Sequence, residues 1–139
     1  MDMVDGGNDT LVIIHGGFYR FQEHGIKVLL HLVSTRAPQL HTAIVVDKVV
    51  GKAAAALLVL GGAAEVYTPL ISEGALQLLD EAGLKVTYDR LVPHITNRQG
   101  DGWCPMEQAC RDCDTPAECL EAIMTQINSM SGHHTSTPL

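Results

Sequence analysis

The apolar positions of the chain fall into two kinds of pattern, short continuous runs and helically spaced stripes. Leu11–Ile14 and Phe18–Phe21 are β-prone runs around His15-Gly16-Gly17. A Gly-Gly centre supplies the positive φ of a tight turn, so the chain is expected to open with an antiparallel hairpin. From His24 the spacing becomes helical, with Ile26, Leu29, Leu30 and Val33 on one stripe, until polar Ser34–Pro38 ends it. Ala43–Val46 is an apolar run short enough for a strand buried on both faces, as in a parallel sheet. A helix is predicted from about Val49 to Leu60, apolar nearly all round and closed by Gly61-Gly62, which suits a left-handed C-terminal cap.

The second half repeats the alternation. Glu65–Thr68 reads as a strand, Ser72 as an N-cap, and Ala75, Leu78, Leu79 and Ala82 as the inward stripe of a helix closed by Gly83. Lys85–Tyr88 supplies a fifth strand, and Pro93–Trp103 is irregular. Cys104-Pro105-Met106-Glu107 resembles a helix start, because proline at the first helical position loses no hydrogen bond. Thr115-Pro116-Ala117-Glu118 has the form of a capping box, followed by Leu120, Ile123, Met124 and Ile127 on one face. The predicted order is β-β-α-β-α-β-α-β and two further helices, an α/β layer fold with right-handed crossovers between parallel strands. The opening hairpin and the lack of G-x-G-x-x-G argue against Rossmann and flavodoxin-like folds.

Composition narrows the function classes. The chain has 139 residues, 46% of them hydrophobic, and at that length folding buries roughly two-thirds of the unfolded surface, so one core suffices without disulfides. Residues 11–130 are expected to form a single domain, with flexible tails at 1–10 and 131–139. The net charge of -7 has the wrong sign for duplex nucleic acid, and two Phe, three Tyr and one Trp are too few for a single-strand stacking platform. The longest uncharged apolar stretch, Ala53–Ala64, is shorter than the roughly 20 residues needed to cross a bilayer. The acidic start, with Asp2, Asp5 and Asp9, does not resemble a targeting leader, and the expected setting is the cytoplasm. Cys104, Cys110, Cys113 and Cys119 lie close together in the sequence rather than tying distant segments, and read as reduced thiols.

The element order resembles the cytidine-deaminase-like fold. The segments Asp47-Lys48-Val49-Val50-Gly51-Lys52-Ala53-Ala54, Ile71-Ser72-Glu73, Asn97-Arg98 and Gly102-Trp103-Cys104-Pro105-Met106-Glu107 are similar to an uncharacterised prokaryotic family known as domain of unknown function eighteen ninety-three. The likeness spans about Leu11 to Met130 and implies a three-layer α/β/α deaminase-like scaffold with a mixed sheet. Zinc deaminases open one helix with His-x-Glu and the next with Pro-Cys-x-x-Cys. Here the corresponding starts read Val49-Val50-Gly51-Lys52 and Ile71-Ser72-Glu73-Gly74, so zinc-hydroxide deamination is not expected and no metal or other cofactor is assigned.

In such a sheet the ligand crevice lies beyond the carboxyl ends of the parallel strands, where helix N-termini favour anions. Asp47, Lys48, Gly51 and Lys52 fall there, with Ser72 and Glu73 at the next helix start. Lys52 interrupts an apolar helix, and its ammonium needs water or an anion, or else is simply a solvated helix end. Cys104, ahead of Pro105, is the best nucleophile candidate, because unpaired helix N–H groups stabilise a thiolate. Glu107 could instead close a cap onto the backbone, and His94 reads as a surface residue rather than a partner for the thiol. Asn97 and Arg98 could contact a carboxylate, phosphate or base edge, or form a turn with a surface arginine. The spacing Cys110-x2-Cys113, flanked by Cys104 and Cys119, invites a metal reading weighed against ordinary buried thiols.

Two readings follow. One is a metal-independent enzyme with Cys104, Lys52 and Asp47 as catalytic residues, and with Lys48, Gly51, Ser72, Glu73, Asn97, Arg98 and Glu107 holding a small phosphorylated or nucleotide-like molecule. The other is a non-catalytic binding or regulatory module using the same pocket. Both exclude duplex nucleic acid and membrane as partners and leave self-association open.

Overall fold

The computed structural model describes residues 11–21, 25–97 and 99–131. The tail readings at 1–10 and beyond Ser131 therefore lie outside the described residues, as does Arg98. β1 (Leu11–Ile14) and β2 (Phe18–Phe21) form the expected hairpin. Helix α1 (Gly25–Ser34) buries Val28, Leu29 and Leu32, while Ile26, Leu30 and Val33 pack half-buried at its margins. A short 3-10 turn at Pro38–Leu40 leads to β3 (Ile44–Asp47), β4 (Val49–Val50) and α2 (Lys52–Gly61). β5 (Glu65–Ser72), α3 (Glu73–Glu81) and β6 (Lys85–Val92) complete the α/β alternation, and α4 (Pro105–Ala109) and α5 (Pro116–Ser131) close the chain.

The sheet is mixed. β1 pairs antiparallel with both β2 and β3, whereas β3, β4 and β6 all run parallel to β5. Ile44 pairs with Glu65 and Val50 with Ile71 at one constant offset, so β3 and β4 are a single strand interrupted at Asp47-Lys48. This corrects the expected helix start at Val49: the two β-branched valines extend the sheet, and the helix begins at Lys52. β5 and β6 likewise run past Thr68 and Tyr88, because the pairing continues from Leu70↔Arg90 to Ser72↔Val92.

The interruption has a partner in the neighbouring strand. Val45 and Val50 belong to one core cluster although strict alternation would put them on opposite faces, and the same is true of Val66 and Ile71. Both strands therefore turn over at one level, beside Asp47 on one and Pro69 on the other. Proline has no N–H to give the ladder. The Thr68 hydroxyl donates to the Leu70 carbonyl at 3.0 Å and accepts the Leu70 N–H at 3.3 Å, while the Asp47 carboxyl takes hydrogen bonds from the Lys48 and Val49 amides.

α2 is the most buried helix, with Ala53–Leu58 all enclosed, and it ends at Gly62 with φ 82, the left-handed conformation that glycine adopts without a Cβ penalty. Its neighbours α1, α3 and α5 contribute Leu29, Leu79 and Ile123 to the same core, which also contains Leu11, Ile13, Val45 and Val66 from the sheet. A second, small cluster joins Val12 and Val46 with Ile14 and Tyr67. Ser72 accepts the Ala75 N–H at 3.3 Å as the predicted N-cap of α3. Thr115 accepts the Glu118 N–H at 3.2 Å, but Glu118 Oε1 reaches Asp114 N at 2.8 Å, one residue before the position a capping box requires.

Candidate functional site

The parallel strands bring Val50, Ser72 and Val92 to one end of the sheet, where the chain from Pro93 to Cys104 folds back as a small hairpin closed by a Thr96–Trp103 bridge. His94 stacks on Trp103 with ring centroids 4.1 Å apart, and the Arg111 guanidinium lies 5.4 Å from the Trp103 ring centre. His94 is therefore packed into the hairpin rather than idle at the surface.

Glu107 organises this end of the molecule. Its side chain is buried, Oε1 accepts the Lys52 N–H at 2.6 Å, and Oε2 accepts the Ile95 N–H at 2.8 Å. One carboxylate from α4 thus caps the N-terminus of α2 and pins the hairpin. A Cβ at Gly51 would stand 3.0 Å from Glu107 Oε1, so glycine is what lets the carboxylate approach. The expected anion at this helix start is present, and it belongs to the protein. Glu107 does not close a cap onto its own helix.

Other predicted contacts are similarly committed. Lys52 Nζ donates to the carbonyl oxygens of Arg111 at 3.2 Å and Cys113 at 2.5 Å, so its ammonium is hydrogen-bonded by the backbone and keeps its positive charge. Asn97 Oδ1 accepts the Gly100 and Asp101 N–H groups and its Nδ2 donates to Asp101 Oδ1, so its amide builds the hairpin turn. The Ser72 hydroxyl is buried in its cap, whereas Lys48 and Glu73 are exposed on either side of the crevice. Cys104 is half-buried at the N-cap of five-residue α4, its N–H on the Ile95 carbonyl at 2.8 Å and no cap bond from its side chain.

Asp47 is the exception. By register it lies beside Leu11 and Thr68, it is 5% exposed, and burial pushes its carboxyl from the ordinary 3.8 up to about 7 despite the two amide bonds that favour the charged form.

Sequence spacing alone does not assemble Cys110, Cys113 and Cys119. Cys110 is the C-cap of α4 and lies outside its helical body, Cys113 follows in the turn, and Cys119 sits in the first turns of α5. The Cys110 thiol donates to the Cys119 carbonyl at 3.8 Å and the Cys113 thiol to the Ala109 carbonyl at 4.0 Å. Cys110 and Cys119 are fully buried and Cys113 is partly exposed. The neighbouring Cys110 thiol and the charge of Lys52 pull the Cys119 thiol down to about 7. Cys110 is pushed up by the neighbouring Cys119 thiol, and Cys113 by burial. Beside the cluster lies a recess of about 220 Å³ lined by Lys52, Gly74, Gln77, Glu81, Cys113 and Asp114, with Leu78 at its base. Among the described residues no group of three or more His, Cys, Asp or Glu side chains is arranged to hold a metal ion, and no helix is long and apolar enough to cross a membrane.

These features define a mixed α/β domain with a six-stranded sheet whose crevice residues are largely engaged within the fold. Over residues 2–127 the chain matches the family described as domain of unknown function DUF1893 (TM1506), and it belongs to that family. A solved structure similar to it is that of a DUF1893 family protein (TM1506) from Thermotoga maritima, with 27% sequence identity, a TM-score of 0.80, and coverage of 90% of this chain and 85% of that one. No curated protein matches the chain.

Proposed function

We propose that this domain is a non-catalytic binding or regulatory module for a small polar molecule. The observation that carries the reading is the engagement of Lys52 and Glu107: the cation meant for a ligand anion bonds two carbonyl oxygens, and the helix terminus meant for that anion is filled by a carboxylate of the chain. The open recess offers a place for a ligand. Its volume of about 220 Å³ lies below the roughly 300–1,000 Å³ of drug-sized sites, so it suits a molecule of few heavy atoms. Glu81 and Asp114 outnumber the single cation, Lys52, among the lining residues, and this acidic excess favours an amine or guanidine over a phosphate. A cytoplasmic setting belongs to this proposal and rests on four unpaired cysteines.

The test is thermal unfolding with small diamines and guanidines, alongside inorganic phosphate. A ligand that binds only the folded state raises the melting temperature by mass action. An amine-dependent rise that disappears in Glu81→Gln/Asp114→Asn supports the module. A rise with phosphate alone would return the site to the crevice around Lys48.

A second reading keeps the deaminase-like scaffold and a covalent, metal-independent reaction, with Cys104 as nucleophile. Asp47 favours it, because a buried carboxyl shifted to about 7 is poised for proton transfer near neutral pH. Its test is peptide-resolved alkylation of the native protein: Cys104 outpacing Cys113 supports an activated thiol, and equal or slower labelling removes it.

A further inference from the structure

We propose that Cys113 and Cys119 form a hydroperoxide-responsive dithiol, with Cys113 as the sulfur that meets the oxidant and Cys119 as the sulfur that resolves it. The inference is independent of what the recess binds. It stands on a juxtaposition: at the junction of α4 and α5 the Cys110 thiol donates to the Cys119 carbonyl at 3.8 Å, Cys113 packs against the same cluster, and of the three only Cys113 lines the recess and is partly exposed. Cys110 and Cys119 are fully enclosed. The Lys52 ammonium, fixed on the Cys113 carbonyl, holds positive charge beside the cluster and favours one negative charge among the sulfurs. Of the three thiols, Cys119 is the one held below its ordinary range.

The chemistry balances with a hydroperoxide as oxidant. Cys113 attacks the terminal peroxide oxygen, the O–O bond breaks, and the thiol proton passes by way of Cys119 to the departing alkoxide. This leaves a Cys113 sulfenic acid, an alcohol and the Cys119 thiolate. Cys119 then attacks the sulfenic sulfur, an S–S bond forms, and hydroxide leaves. Two thiol sulfurs are oxidised together by two electrons, and the peroxide takes both. Cys110 has no access to the recess and stays a thiol.

The sequence offers a direct readout. Tryptic cleavage at Arg98 and Arg111 puts Cys104 and Cys110 in one peptide, and Cys113 and Cys119 together in the next. The full chain is treated with limiting hydrogen peroxide, free thiols are blocked, and peptides are weighed. The expected product is residues 112–139 lighter by two hydrogens and unblocked, with Cys104 and Cys110 both blocked. Cys119→Ser should leave a Cys113 sulfenic acid that a dimedone-type reagent traps, and Cys113→Ser should lose the internal disulfide. A disulfide joining the two peptides, oxidation of Cys104 ahead of Cys113, or an unchanged residue 112–139 peptide would each overturn the proposal. The wild-type measurement decides even where a serine at the buried Cys119 position prevents folding.

Discussion

The carboxylate of Glu107 sits 2.6 Å from the backbone nitrogen of Lys52, so a residue of α4 serves as the N-cap of α2, a helix far from it in sequence. A helix N-terminus leaves several amides without intrahelical partners, and Gly51 at the cap position has no side chain to offer them. Glu107 fills that role and at the same time holds Ile95. Removing it unpairs two amide donors at a buried carboxylate, so Glu107→Ala is expected to cost about 2–4 kcal/mol and Glu107→Gln, which keeps one acceptor oxygen, roughly half of that. Urea unfolding of both variants is the measurement, and losses below about 0.5 kcal/mol for Glu107→Ala would dismiss the capping role.

Lys52→Met keeps the stem that packs near Gly74 but loses the ammonium that ties down the turn from Arg111 to Cys113. The expected outcome is a loss of about 1–2 kcal/mol. Faster amide exchange in residues 111–114 and a higher pKa at Cys119 should accompany it, since Lys52 is one of the groups holding that thiol down. Hydrogen exchange and a thiol titration check these, and an unaltered turn would show that the two carbonyl contacts carry no weight.

Asp47 makes stability depend on pH in an unusual direction. Its folded pKa, about 7, lies above the ordinary 3.8, so between those values the folded state binds more protons than the unfolded one, and stability falls as pH rises through that window. Above about pH 7 the decline levels off. Asp47→Asn should flatten the slope and raise stability at pH 8 relative to the parent, by at most roughly 4 kcal/mol for a shift of this size. Denaturant midpoints measured from pH 4 to pH 8 test it, and a parent slope that survives in Asp47→Asn would assign the effect elsewhere.

Gly61 and Gly62 read alike in sequence but do different work. Gly62 takes the left-handed cap, whereas a Cβ at Gly61 would stand 2.5 Å from Leu40 Cδ1 and 2.9 Å from Leu40 Cβ. Gly61→Ala therefore overpacks the contact between α2 and the 3-10 turn and should cost about 1–3 kcal/mol, more than helix propensity alone would return. Pairing it with Leu40→Ala, which removes the Cδ1 contact and leaves the one to Cβ, should make the two costs less than additive in a double-mutant cycle.

The sequence by itself determined the elements whose signals are local. The hairpin at His15-Gly16-Gly17, the enclosed helix from Ala53 to Leu58, the Ser72 cap and the start at Pro105 all depend on residues within a turn or two of one another. Long apolar periodicity and short-range hydrogen bonds are properties of the chain, so they can be read from it. Val49-Val50 escaped that reading because β-branched residues beside an apolar helical run become a strand only when a neighbour, here Leu70-Ile71, pairs with them. The polar residues escaped for a related reason. Lysine, glutamate and asparagine at a strand-end crevice look the same whether they await a ligand or already hold one of the chain's own groups. Only the packing of α4 against the start of α2 decides that Glu107 and Lys52 are engaged, and only the junction of α4 and α5 brings Cys113 to Cys119. A hydrogen bond needs two partners within about 3 Å, and for these residues the partner is fixed by the tertiary fold.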